Sequence, residues 1–213
     1  MFAFLKGKHN GVMVFDPTEP DIDETKFLKE DWTATVYGDC KEIIPEDAPE
    51  PRGIGFTMRA FVDSDHAGDS VTRRSRTGFM VFLNSAPIYW YSKKQLGIET
   101  SSFGAEFIAM KQCCEYLRGL RYELRMMGIS VDAPTYIFGD NKSVLANTSI
   151  PHSTLQKKSS SVAFHFVREG VAKSEWCTTY LNTSMNPADM LTKSLPGGEK
   201  RTRFTSYVLH YLT

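Results

Sequence analysis

The chain has no net charge, only four cysteines and no long apolar run, and each absence closes a class of function. Cys40, Cys113, Cys114 and Cys177 form no Cys-x-x-Cys pair and no metal-ligand spacing. They read as reduced thiols of an intracellular protein, mostly filling core space. No apolar stretch approaches the roughly 18 residues that a membrane-spanning helix needs, so no membrane partner is expected. The opening Met1-Phe2-Ala3-Phe4-Leu5-Lys6 is too short for a secretory signal. The Asn-x-Ser/Thr matches at Asn141, Asn147 and Asn182 are then chance. Internal repeats and low-complexity tracts are also missing. What is present is aromatic: 14 Phe, 9 Tyr and 3 Trp in 213 residues can build a real core, which excludes wholesale disorder. The length suits one large domain, or one domain with an appendage.

The zero charge hides an asymmetry. Residues 16–50 carry a net charge of −9 and residues 51–213 a net charge of +7. The acidic part contains Pro17, Pro20, Pro45 and Pro49 and one apolar island, Trp32 to Tyr37. It reads as a connector over 16–55, with one strand at most and little packing, so that a chain starting at Pro51 should keep the fold. The basic part points to a polyanionic partner.

From Met58 the pattern becomes regular. Met58 to Asp63, Gly78 to Leu83 and Ile88 to Ser92 read as strands, the last two joined by a short hairpin at Asn84-Ser85-Ala86-Pro87. Phe103, Phe107, Met110, Cys114, Leu117, Leu120, Leu124 and Met127 form one apolar stripe at three- and four-residue steps. That stripe predicts a long helix, capped by Ser101 or Ser102 and ended by Gly128. A strand at Tyr136-Ile137-Phe138, helices near 142–147 and 161–172, a strand at Trp176 to Leu181 and a helix opened by Asn186-Pro187 follow. The order β-β-β-α-β-α-α-β-α predicts an α/β domain over 56–195, built on a mixed five-stranded sheet, with a C-terminal helix over 196–213.

Four carboxylates sit where these elements begin or end. Asp63 closes the first strand, and Asp65 would share its face. Glu106 lies near the start of the long helix, at the edge of the apolar stripe. Asp140 follows a buried strand at its carboxyl end, where open α/β sheets place their sites. Asp189 lies in the first turn of a helix that Asn186 can cap and Pro187 can begin. Converging carboxylates repel unless a hard divalent cation neutralises them, and oxygen ligands favour Mg²⁺ or Mn²⁺. Two such ions about 4 Å apart serve in-line attack at a phosphodiester. Each acid, taken alone, also reads as a turn or helix-start residue.

Residues 58–195 resemble the ribonuclease H domain of copia-type (Pseudoviridae) retrotransposon polyproteins. The resemblance is carried by Val62-Asp63-Ser64-Asp65-His66-Ala67-Gly68-Asp69, Arg73-Arg74-Ser75-Arg76-Thr77-Gly78 and Tyr89-Trp90-Tyr91-Ser92-Lys93-Lys94-Gln95. It continues through Ser101-Ser102-Phe103-Gly104-Ala105-Glu106-Phe107, Gly139-Asp140-Asn141, His165-Phe166-Val167-Arg168-Glu169 and Asn186-Pro187-Ala188-Asp189-Met190-Leu191-Thr192-Lys193. The chain departs from the family pattern at His66, at Gly104 and at Lys158-Ser159-Ser160-Ser161. Residues 1–15, with Phe4-Leu5-Lys6 and Val14-Phe15-Asp16-Pro17, look like the tail of the reverse transcriptase that precedes such domains.

The resemblance implies a ribonuclease H-like fold that hydrolyses the RNA strand of an RNA–DNA hybrid with two Mg²⁺ ions, Mn²⁺ substituting. It implies the quartet Asp63, Glu106, Asp140 and Asp189, with Asp63 bridging the ions and Asp65 the near alternative to it. It implies the reverse transcriptase region of the same polyprotein as partner, and a virus-like particle in the cytoplasm, or the nucleus, as location. Arg73, Arg74 and Arg76, and more weakly Lys93-Lys94 and Lys157-Lys158, are candidate phosphate contacts, each against a solvated-loop reading. Either Trp90 or Tyr91 could stack on a base or sugar, since alternation sends the other into the core. His152 lies in a polar loop, and His165 reads as a helix packing residue. Two other readings stay open: an inactive nucleic-acid-binding module that kept the fold, and a strand-transferring relative, which usually places its Glu on a later helix.

Overall fold

A computed structural model describes residues 6, 8–155 and 161–211. Phe4-Leu5 and Lys157-Lys158 therefore lie outside the described residues. Three strands, β2 (Met58–Asp65), β3 (Arg76–Leu83) and β4 (Ala86–Lys94), follow a two-residue β1 (Gly11–Val12) and form an antiparallel meander. Asn84 turns the β3–β4 hairpin in the left-handed region at φ 52°, a conformation Asn tolerates well. The long helix α1 (Ser102–Met126) crosses to β5 (Thr135–Gly139), and α2 (Lys142–Ser149) and α3 (Ser161–Ala172) lead to β6 (Trp176–Tyr180). A one-turn α4 (Asp189–Thr192), α5 (Glu199–Ser206) and β7 (His210–Tyr211) complete the chain. The main sheet runs β4-β3-β2-β5-β6, with β5 and β6 parallel to β2. This is the mixed five-stranded sheet expected from the sequence.

Both faces of the central strands are covered, which explains why β2 and β3 read as nearly unbroken apolar runs. Ala60, Val62, Phe79 and Val81 pack under the α1 stripe together with Phe164 and Val167 of α3. On the opposite face Phe61, Met80 and Phe82 meet Ala188 and the α4 segment. The buried stripe ends at Leu124, one member before the Met127 its spacing suggests. Met127 is 72 % exposed because Gly128, at φ 74°, turns the chain away after α1.

Two expectations need correction. The acidic connector is a packed strap, and its Trp32–Tyr37 island is a run of turns in place of a strand. Asp31 starts those turns by accepting from the Thr33 amide at 2.9 Å. Phe27 and Trp32 are buried; the Phe27 ring lies 4.9 Å from Tyr136 and 5.6 Å from Phe138, covering the β5 side of the sheet that α4 does not reach. Thr179 donates to the Lys26 carbonyl at 2.7 Å and Tyr136 to Glu24 at 2.6 Å. The C-terminal helix is also shorter than 196–213. It spans only Glu199 to Ser206, and His210–Tyr211 beyond it form β7, which pairs antiparallel with β1.

The strap is locked at Glu42. Its two oxygens take four guanidinium hydrogen bonds, at 2.8 and 2.7 Å from Arg121 and at 2.6 and 2.8 Å from Arg125. Arg121 is only 1 % exposed. Desolvation works to raise the Glu42 pKa, and the two guanidiniums outweigh it, holding the carboxyl at about 2. Glu42→Gln should leave a buried guanidinium without its counter-charge and lower stability by about 3 kcal/mol at neutral pH, read by thermal or urea unfolding. A carboxyl with a depressed folded pKa stabilises above its unfolded value. The gap between wild type and variant should therefore close as pH falls from about 4.5 toward 2. An equal gap across that range would mean the charge contributes nothing.

Candidate active site

Parallel pairing of β2 with β5 sets Phe61 opposite Phe138, so two residues further on Asp63 and Asp140 leave the same sheet edge side by side. Glu106 reaches them from the first turns of α1, whose start is capped by the Ser101 hydroxyl accepting from the Gly104 amide at 3.2 Å. One carboxylate oxygen from each of Asp63, Glu106 and Asp140 lies within 4.8 Å of the others. Asp63 is 0 % exposed. Its Oδ2 accepts from the Thr192 hydroxyl, while its Oδ1 is buried with no hydrogen-bond partner among the described residues. Thr183 donates to Asp140 Oδ2 at 2.7 Å. Asp65 stays outside the trio, across the strand pair from Arg76.

Asp189 comes close without joining the group. Asn186, wholly buried, donates to the Val62 carbonyl at 2.8 Å and accepts from the Ala188 amide at 3.1 Å, tying the α4 turn to the residue before Asp63. Gly78, the cross-strand partner of Asp63, makes room for it. A Cβ there would meet Thr192 Cγ2 at 2.6 Å and Leu191 Cβ at 2.9 Å. Asp189 is buried between two lysines, Lys193 at 2.7 Å and Lys200 from α5. Lys193 also stands 3.7 Å from Asp63, so one ammonium separates the two acids. Sequence reasoning passed over Thr192 and Lys193 as site residues, although their spacing of three and four from Asp189 puts them on its helical face. Lys200 gave no local signal.

The electrostatics follow from burial. Burial, together with the nearby Asp140 and Asp189 charges, pushes Asp63 up to about 6 despite Thr192 and Lys193. Burial, then the Asp63 and Asp140 charges, push Glu106 up to about 9. Burial acts to raise Asp189 as well, but Lys193 and Lys200 outweigh it and hold that carboxyl below its ordinary value. An all-oxygen donor set, an unpartnered buried carboxylate oxygen and two carboxyls disfavoured as anions fit a hard divalent cation.

Basic residues gather beside this edge in part. Arg74, Arg76, Lys94 and Lys193 line an open cleft of about 550 Å³ with Asp65, Gly68 and Asp69. Arg73 is exposed outside it, in a turn closed by its amide donating to the Asp69 carbonyl at 2.8 Å. Lys93 is exposed outside it too, and Lys94 pairs with Asp69. Tyr91 stacks on Phe79 at 4.9 Å, which leaves Trp90, 52 % exposed, as the outward ring. His165, expected to pack, is exposed, and its ring nitrogen hydrogen-bonds the Tyr37 hydroxyl of the strap at 2.8 Å. His152 is exposed on a loop whose carbonyls at Ile150 and Pro151 accept from Arg168 at 2.8 and 2.6 Å. A larger cavity of about 680 Å³ lies under the strap, away from all four carboxylates.

Comparison with known proteins bears on the fold and the family. No family model matches the chain. It is 30 % identical over 156 residues to the retrovirus-related Pol polyprotein from transposon RE1 of Arabidopsis thaliana, covering 73 % of the chain and 10 % of that protein. Similarity to the Pol polyprotein from transposon TNT 1-94 of Nicotiana tabacum is 30 % over 199 residues, 84 % of the chain and 14 % of that protein. The chain thus spans about a tenth of the length of these relatives. Among solved structures, LC11-RNase H1 isolated from compost superposes with a TM-score of 0.51 at 14 % identity, over 64 % of this chain and 92 % of its own. The N-terminal RNase H domain of Rv2228c from Mycobacterium tuberculosis gives 0.50 at 11 %, over 71 % and 96 %. The same LC11 enzyme in complex with an RNA/DNA hybrid gives 0.51 at 12 %, over 64 % and 94 %.

The raised carboxyls make the metal-free protein pH-sensitive. Between the unfolded value of 4.5 and the folded value of about 9, the folded state binds more protons at Glu106 than the unfolded state does. Stability therefore falls as pH rises through that window. Glu106→Gln should melt several degrees above wild type at pH 8 in a chelator, and the difference should shrink toward pH 5. Equal melting temperatures at pH 8 would show that the acids do not crowd one another.

Proposed function

The chain belongs with the retrovirus-related Pol polyproteins of transposons, as a stretch with the ribonuclease H-like fold, and from that premise we propose that it hydrolyses the RNA strand of RNA–DNA hybrids. The observation that carries the proposal is the trio Asp63, Glu106 and Asp140 at the carboxyl edge of the sheet, with a buried oxygen on Asp63 that has no partner among the described residues. Asp63, Glu106 and Asp140 would hold the divalent cations, two Mg²⁺ in this reading. Asp189 would join them once its charge turns from the lysines. Such cations supply Lewis-acid stabilisation of the charge that builds on a scissile phosphate, and lower the pKa of an attacking water. The protein's own part is positional. The sheet edge fixes two carboxylates, α1 brings the third, and Thr192 and Thr183 orient Asp63 and Asp140.

Arg74, Arg76 and Lys94 would take phosphates flanking the cut, with Lys193 between cleft and trio. Strand choice would rest on groove shape and 2′-hydroxyl contacts. The reverse transcriptase region of the same polyprotein would deliver the hybrid. One observation favours a second reading, a nucleic-acid-binding module without catalysis: Asp189, the fourth expected acid, is taken up by two lysines.

Cleavage of a labelled hybrid in Mg²⁺, with duplex DNA and single-stranded RNA left intact, tests the two readings against each other. Binding without cleavage would select the second. Asp140→Asn keeps the side chain's shape and removes the charge a hard cation needs, so cleavage should drop to background with the fold kept and the melting temperature held or slightly raised. A rate near wild type would remove Asp140 from the site.

In the cleft, Arg74→Ala with Arg76→Ala should weaken hybrid binding and raise KM more than it lowers kcat. The slope of log affinity against log salt should flatten by about 0.7 to 0.9 for each lost phosphate contact. Arg73→Ala should leave that slope unchanged. Equal effects at all three arginines would place the phosphate path outside the cleft.

A further inference from the structure

Gln95 follows β4 and begins the stretch that leads to α1. Leu96 to Ile98 and Thr100 are exposed and Glu99 is half-buried. Gln95 is the fully buried residue of this stretch, at 1 % exposure. Its backbone amide donates to the Ser75 carbonyl at 2.8 Å, extending the β3–β4 pairing by one step. Its side-chain Nε2 donates to the Thr77 hydroxyl at 3.1 Å and to the Ala105 carbonyl at 2.9 Å. A helix carbonyl already receives the amide four residues on, so the Gln95 amide acts as a second donor from outside the helix.

The two partners are what give this contact meaning. Ala105 is the residue immediately before Glu106. Thr77 lies opposite Ser64, the residue immediately after Asp63. The Gln95 amide therefore ties the start of α1, one peptide before Glu106, to the strand that pairs with the end of β2, across from the residue next to Asp63. Its Oε1 is buried without a partner among the described residues. A half-satisfied buried amide is a poor choice for stability compared with an apolar side chain of the same size. Its packing does not account for it; its tether does.

We infer that Gln95 is a positioning residue that holds Glu106 within reach of Asp63 and Asp140. The inference deepens the metal-dependent reading above and rests on it. A site assembled from a strand end and a separate helix tolerates little error, since cation ligands must sit within a few tenths of an ångström of their places.

The test uses the full chain with Gln95→Met, which keeps the volume and removes the amide. Mn²⁺ binding to the metal-free protein is measured by calorimetry, beside thermal unfolding and hybrid cleavage across a Mg²⁺ titration. The expected result is a Mn²⁺ dissociation constant raised about 10-fold or more, the usual scale for losing a group that orients ligands. The melting temperature should stay within a few degrees of wild type, and cleavage should recover as Mg²⁺ is raised. Unchanged Mn²⁺ affinity overturns the inference, and so does a loss of affinity that merely tracks a collapse in melting temperature. Thr77→Val, which removes one anchor and leaves the Ala105 contact, should shift Mn²⁺ affinity less and in the same direction. It decides the matter if Gln95→Met does not fold, because unchanged affinity there also overturns the role. A wild-type chain that binds Mn²⁺ but leaves hybrid intact sinks the proposed activity and not the role of Gln95. A wild-type chain that binds no Mn²⁺ sinks both.

Discussion

Mutual repulsion among Asp63, Glu106 and Asp140 is the constraint around which the rest of the molecule is arranged. Their oxygens stand within 4.8 Å of one another at a sheet edge, and one of them is wholly buried. Nothing local would hold such a group together. Parallel pairing of β2 and β5 fixes two members, and the second donor on the Ala105 carbonyl holds the third. Lys193 then stands where a fourth acid would otherwise add its charge. Loosening the tether at Ala105 would let Glu106 move away from the other two acids, which harms a site built to take a cation.

The peripheral segments follow the same logic at longer range. The acidic strap would be repelled from the trio if it crossed that edge, and it packs elsewhere. It covers the β5 side of the sheet through Phe27 and ends against Arg121 and Arg125 near the far end of α1. The basic cleft remains open on the other side, beside β3 and β4. Negative and positive surfaces are thus sorted onto different parts of one small domain. That sorting suits a polyanion approaching the carboxylate edge over the arginines, with the strap turned away.

The C-terminal segment contributes in an unexpected way. α5 sends Lys200 to Asp189, eleven residues earlier in the chain, and β7 closes against β1. Segments that look like leftovers at either end of the domain therefore meet each other, and one of them supplies a charge to the site.

Much of this was legible in the sequence because it is local. Period-two and period-3.6 patterns depend on neighbours within one element, and they placed the five strands, the long helix and the sheet class. Asp63 and Asp140 could be singled out because each follows buried strand residues, and the Asn186-Pro187 step marked the turn before Asp189. What the sequence could not decide is which distant groups share a volume of a few ångströms. Register across β2 and β5 sets Asp63 beside Asp140, and not Asp65. Glu42 finds Arg121 seventy-nine residues away, Asn186 finds the Val62 carbonyl, and Lys200 finds Asp189. None of these pairs leaves a periodic trace, since a charge or an amide at one position is compatible with many partners. Local chemistry determined the elements and where acids could stand, while burial and register, which exist only once the chain is folded, decided which acids meet and which cations reach them.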